Sequence, residues 1–232
     1  MTSDIEVGDL SIRAHCLPYG HFFGDEDAMD SSDEGGLNDA AALHDAALVV
    51  DGTCPLLVRP HYVDWYIEGG VNIVTPTVGA TGTAMQSFGL IAYWLEFMRD
   101  RQDLTLVSNA AEVRAAKQAN RTGVVFHFQG TDPIESELRH IDAFSQLGVG
   151  IMQLCYNVED AAGFGAQVPD GGLKPFGREL VKRCNEAQVI VDCAHTGHAT
   201  SITLCPSPES TTSGWALTIT SASTWSQMMR KR

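Results

Sequence analysis

From Leu48 onward, short β-branched runs alternate with longer amphipathic stretches, the pattern of βα units around a parallel sheet. Strands are predicted over residues 48–53, 71–77, 123–130, 150–156 and 189–194. Helices are predicted over 62–68, 85–100, 110–119, 134–147 and 175–187. The second carries Leu90, Ile91, Trp94, Leu95 and Met98 at helical spacing, and the fourth carries Leu138, Ile141, Phe144 and Leu147 on one stripe. Pro175 suits the first turn of the last helix. Five strands result, each followed by a helix except the last. Before Ala47 the chain is polar and Gly/Asp-rich with an acidic run over 25–34, and after Thr200 the strand–helix rhythm stops in Ser/Thr-rich sequence. Three parts are therefore expected: an acidic arm (1–46), a βα domain (47–200) and an irregular tail (201–232).

Composition narrows the function classes. The chain has 232 residues, 44% hydrophobic and 19% charged, which suits an ordinary globular protein. Its formal net charge of −14 disfavours nucleic acid and anionic membrane as partners. The first ten residues lack the basic and apolar regions of a secretory signal. The most apolar stretch, 88–98, is too short for a membrane span and contains Glu96. Six scattered cysteines without a C-x-x-C pair read as reduced thiols, so a cytoplasmic location is expected.

In parallel α/β proteins the functional groups gather at the carboxyl ends of strands. Those ends carry Asp51, Thr53 and Cys54; Thr75 and Thr77; His127 and Gln129; Cys155, Tyr156 and Asn157; and Asp192, Cys193, His195 and His198. Alternation puts His127 and Gln129 on one face of their strand, and Cys193 and His195 on one face of theirs. Histidines and an aspartate at neighbouring strand ends suit a metal or a general base. A single strand-end histidine is more often a hydrogen-bonded structural residue.

The run Gly171-Gly172-Leu173-Lys174-Pro175-Phe176-Gly177-Arg178-Glu179-Leu180-Val181, followed by Val189-Ile190-Val191-Asp192-Cys193-Ala194-His195, resembles the renal (membrane) dipeptidase family of zinc peptidases. The family pattern is a G-L-x-x-F-G-x-x-x-V helix and a V-D-x-S-H strand. Gln153-Leu154-Cys155-Tyr156-Asn157, Leu147-Gly148-Val149 and Val49-Val50-Asp51-Gly52 match further family segments, so the likeness spans about 47–200. It implies a (β/α)8, TIM-like barrel of the metal-dependent hydrolase type, of which about five βα units are present. It also implies a binuclear zinc site hydrolysing dipeptides or short peptides. His195 is then a metal ligand, Asp192 orients the strand end, and Tyr156 and Asn157 line the substrate mouth.

Several family ligands fall on unsuitable residues. The first-strand His and Asp fall on Thr53 and Pro55, and the bridging glutamate falls on Gln129. Proline has no side-chain donor, and a neutral amide lacks the charge that holds two cations together. A later histidine and a catalytic aspartate of the family have no counterpart before Arg232. His127 and Gln129 are the additional metal candidates. Three readings are open: a dipeptidase-family hydrolase with a degraded zinc site; an inactive relative or fragment that at most binds; and a hydrolase with one metal or none, using His127 and His195 with Asp51 as acid–base groups. A small peptide is the expected partner, with self-association left open. The sudden change after Thr200 reads as a C-terminal truncation, with a natural tail as the alternative.

Overall fold

A computed structural model of the chain describes residues 34–202. Most of the expected arm and nearly all of the expected tail therefore lie outside the described residues. The chain divides into two units, 1–41 and 42–232. Helix α1, Glu34–Ala46, crosses that division and lies where the sequence pattern suggested only a polar arm. The sheet belongs wholly to the second unit.

Seven strand segments form this one sheet, and every pairing is parallel. They are β1 (Val50–Cys54), β2 (Ile73–Gly79), β3 (Leu104–Leu106), β4 (Thr122–Val124), β5 (Phe126–Phe128), β6 (Val149–Gln153) and β7 (Ile190–Asp192). The helices between them are α2 (Val63–Glu68), α3 (Ala84–Met98), α4 (Ala110–Gln118), α5 (Arg139–Gln146) and α6 (Pro175–Glu186), and α7 (His198–Ile202) follows β7. Parallel neighbours need crossover connections, which these helices supply. None of the described helices is long and apolar enough to cross a membrane.

The sheet is organised around β2. Ile73 and Val74 pair with both β1 and β4, while Thr77 and Gly79 further along pair with β5. β4 and β5 are two parts of one predicted strand, separated at Val125; β4 also pairs with β3, and β5 with β6. β7 pairs with β6 alone. Among the described residues no pairing joins β7 to β1 or β3, so the sheet is open. The five-strand expectation thus missed β3, whose three residues are too few to show a period, and the break at Val125.

Local chemistry explains where the helices begin. Thr83 caps α3 through a capping box: its Oγ1 accepts from Gln86 N at 3.3 Å, and Gln86 Oε1 accepts from Thr83 N at 2.9 Å. Asn109 Oδ1 caps α4 by accepting from Glu112 N. Pro175 opens α6, where a missing N–H costs nothing. α3 buries Ser87, Ile91 and Trp94, and Trp94 Nε1 donates to Leu57 O at 3.1 Å.

The two faces of the sheet differ. One carries Val74, Val124, Phe126, Phe128, Met152, Leu154 and Val191, which pack with Trp94, Phe144 and Leu180 from the helices. The other begins with Ile73, Val125, Ile151 and Ile190, covered by Val107 and by Val113 and Ala116 of α4. Two residues further along these strands the second face turns polar, with Thr75, Thr77, His127, Gln153 and Asp192. That change places chemistry toward the carboxyl ends.

Candidate active site

Four of those five polar side chains are almost fully buried: Thr75 and His127 at 0%, Gln153 at 1% and Asp192 at 2% exposure. Burial of this kind is tolerated when hydrogen bonds replace water. Thr75 Oγ1 donates to Asp51 O at 2.9 Å. Gln153 Nε2 donates to Cys155 O at 2.9 Å and to Ala194 O at 2.6 Å. These carbonyls immediately precede Tyr156 and His195, so one amide sets the spacing of two strand-end residues. Asp192 Oδ1 accepts from Ala194 N at 2.8 Å.

His127 is the exception to full satisfaction. Its Nδ1 lies 3.4 Å from Thr77 Oγ1, whereas Nε2 is 3.8 Å from Asp192 Oδ2 and has no hydrogen-bond partner. The strand-end pattern brought His127 and Asp192 to notice separately. Their approach across β6 depends on strand stagger that local sequence does not encode.

His195 sits just past β7 with a left-handed backbone, φ 58°. Its Nδ1 lies 2.8 Å from Asn157 Oδ1, an acceptor, so the imidazole is oriented by that amide. The Tyr156 ring lies 4.6 Å from the imidazole, centroid to centroid. His195, Tyr156 and Asn157 are thus together, with His195 exposed and the other two half-buried. The loop from 157 to 174 folds back onto this group. Ala166 N donates to His195 O and Gln167 N to Asn157 O, and Gly165 bridges to Thr196. A Cβ on Gly165 would fall 2.1 Å from the Asn157 carbonyl carbon, so the crossing requires glycine.

Two carboxylates hold this loop, and neither was singled out by sequence pattern. Asp160 accepts from Ala162 N at 2.7 Å, Gly163 N at 3.1 Å and Thr131 Oγ1 at 3.1 Å. Asp170 accepts from Gly172 N, from Thr200 N and Oγ1, and from Ala199 N. Desolvation opposes ionisation of Asp170, but these hydrogen bonds hold its carboxyl below the usual value. Asp followed two residues later by glycine was the available signal for an Asx-type turn at Asp170.

Gln129 follows β5 and lines a cavity of about 50 Å³ with Tyr156, Asp132 and Asp160. Burial, with the Asp160 charge adding to it, raises the Asp132 carboxyl above its ordinary range. Asp51 is elsewhere. Its Oδ1 accepts from Thr53 N, its charge acts on Cys54 and Tyr66, and no hydrogen bond or ion pair links it to His127. Thr53 Oγ1 is spent on Gly52 O, and Pro55 opens a 3-10 turn. Among the described residues no group of three or more His, Cys, Asp or Glu converges as metal ligands would.

The profile of the membrane dipeptidase family (peptidase family M19) matches residues 82–208, more than half of the chain. The chain belongs to that family. The M19 fold is borne out by solved structures. An amidohydrolase from Pseudomonas aeruginosa is 32% identical at a TM-score of 0.66, with 69% of this chain and 50% of that chain covered. A Rhodobacter sphaeroides metallopeptidase, liganded with a phosphinate mimic of the dipeptide L-Ala-D-Ala, is 16% identical at a TM-score of 0.60 over 66% of this chain and 60% of its own. The probable dipeptidase PvdM from P. aeruginosa is 17% identical at 0.64, over 73% and 52%. This M19 chain spans about half to three-fifths of the length of these structures.

Proposed function

We propose that this M19 chain is a dipeptidase-family hydrolase by descent whose strand-end mouth accepts short peptides but whose two-zinc centre is degraded. The domain that carries the mouth is 47–200, flanked by the arm 1–46 and the tail 201–232. Tyr156 and Asn157 line the mouth, and His195 is the retained metal-type ligand, with Nδ1 held by Asn157.

One observation supports degradation above the others: the donors at the family positions are Thr53, Pro55 and Gln129. A dizinc centre needs a bridging anion and several imidazole or carboxylate donors. A hydroxyl already bonded to a carbonyl, a proline ring and a neutral amide do not fit that requirement. Cys54, Cys155 and Cys184 are buried and burial raises their thiols, Cys54 and Cys184 to about 12, as suits apolar filler. Such thiols suit a reducing compartment, the cytoplasm.

Elemental analysis and a dipeptide panel assayed with and without chelator test the reading. Zinc well below about two ions per chain, with no chelator-sensitive turnover, is expected. About two zinc ions per chain with hydrolysis abolished by chelation would overturn it. If His195 holds residual metal, His195→Asn, which tolerates the same backbone, should lower the metal content of the folded protein.

A second reading has its own support in His127. A Thr77 hydroxyl donating to Nδ1 would leave the proton on Nε2, facing Asp192, in the arrangement of an oriented general base. In that reading the partner carboxylate is Asp192 rather than Asp51. Chelator-insensitive turnover lost in His127→Gln would favour it; turnover unchanged in that variant would remove it.

A further inference from the structure

At the amino ends of β2 and β4, away from the mouth, lies a cavity of about 460 Å³. Its lining includes His44, Asp45, Asn72, Lys117, Asn120 and Arg121. The volume is that of a small-molecule pocket. The charge pattern is unusual for this chain, in which 29 carboxylates face only 15 lysines and arginines.

Several cations elsewhere sit on acids: Arg101 on Asp64 and Asp103, Arg139 on Glu137, Lys174 on Glu159, and Arg183 on Asp142 and Glu186. Lys117 and Arg121 have no carboxylate within ion-pair distance among the described residues, although the Asp103 charge acts on Arg121 from further away. Lys117 Nζ donates to Asp45 O at 3.0 Å, to Asn72 Oδ1 at 3.2 Å and to Ala47 O. Its three protons are thereby used on neutral oxygens while its charge stays uncompensated. The last turn of α4 favours a cation at Lys117.

The helix end does not account for Arg121, which lies beyond it. Its Nη2 donates to Leu104 O, but its Nε is buried and has no partner. The guanidinium charge is therefore only partly used by the protein around it. Asn72 also lines the cavity, its side-chain oxygen being engaged by Val49 N and Lys117.

The geometry points to an anion site here, for a phosphate-bearing small molecule, with the Arg121 guanidinium and Lys117 supplying the positive charge of the lining. Guanidinium groups match phosphate oxygens in charge and shape. Lys117, bound to the carbonyls of Asp45 and Ala47, would couple the ligand to the end of α1. This site is independent of the peptide reading, since it uses none of the mouth residues.

The test is calorimetric titration of the full 232-residue chain, at fixed ionic strength, with inorganic phosphate in one arm and glycerol phosphate in the other. Saturable one-to-one binding is expected, weakened at least about tenfold in Arg121→Gln and unchanged in Arg178→Gln, an exposed position on α6. Tighter binding of glycerol phosphate would assign the site to an ester, and tighter binding of inorganic phosphate to the free ion. Should Arg121→Gln fail to fold, Asn120→Gly serves, because glycine keeps the left-handed backbone (φ 53°) and removes only the amide; a roughly two- to fivefold weakening is expected. No saturable heat in either arm, or an unchanged affinity in the variants, overturns the proposal.

Discussion

Replacing Gln153 by methionine keeps most of the side-chain volume and deletes the donor that joins two strand ends. Gln153 is 1% exposed, so water cannot substitute for the lost N–H groups. Cys155 O then becomes an unpaired buried acceptor, which costs about 1–3 kcal/mol. Ala194 O keeps a longer bond from Thr196 Oγ1 at 3.3 Å, so its loss is nearer to about 1 kcal/mol. A destabilisation of about 2–4 kcal/mol results. With a urea m-value of about 2 kcal/mol/M, the unfolding midpoint should fall by about 1–2 M. Urea titration followed by tryptophan fluorescence measures this directly. A midpoint shift under about 0.3 M at unchanged m would refute the claim that this amide spaces Tyr156 and His195. Gln153→Glu sharpens the comparison, since it turns an acceptor toward both carbonyls and should be the more damaging variant.

Two further perturbations probe the same region. The Asp170 carboxyl is depressed in the folded chain, so its stabilisation is present above the ordinary value of about 3.9 and disappears as pH falls through the lower folded value. Asp170→Asn should therefore lower the urea midpoint at pH 7 and match the parent in strong acid; a pH-independent gap would contradict the charge argument. Gly177 packs so closely that a Cβ would lie 2.1 Å from Ala162 O. Gly177→Ala should lose up to about 2 kcal/mol net, overpacking of about 1–3 kcal/mol offsetting a helix-propensity gain of about 1 kcal/mol, and a raised melting temperature would sink that account.

Much of the architecture is legible in residue pattern because one face of every long element is buried. α3, α4 and α6 begin or end within about two residues of the predicted bounds, since Thr83, Asn109 and Pro175 are explicit start signals. α5 begins at Arg139, five residues after the predicted start, because Asp132-Pro133-Ile134 forms a separate 3-10 turn. β3 was invisible for the opposite reason: Leu104–Leu106 acquires its identity from pairing with β4. The strand-end cluster was partly legible. Tyr156, Asn157 and His195 come together because each stands at a strand end. The His127–Asp192 approach was not, because β6 lies between their strands and only sheet geometry closes the gap. Asp51 shows the converse, a strand-end acid whose interactions run to Thr53, Cys54 and Tyr66.

The positive φ of His195 constrains how this position can change over generations. Most side chains resist that backbone twist, whereas glycine and asparagine accept it readily. The codon is therefore under two separate pressures, one for an imidazole and one for a permitted bend. Were the first to relax, drift would lead toward asparagine or glycine rather than toward alanine or a β-branched residue. Orthologues that have abandoned the ring should betray it through that narrow choice, while the bend itself survives.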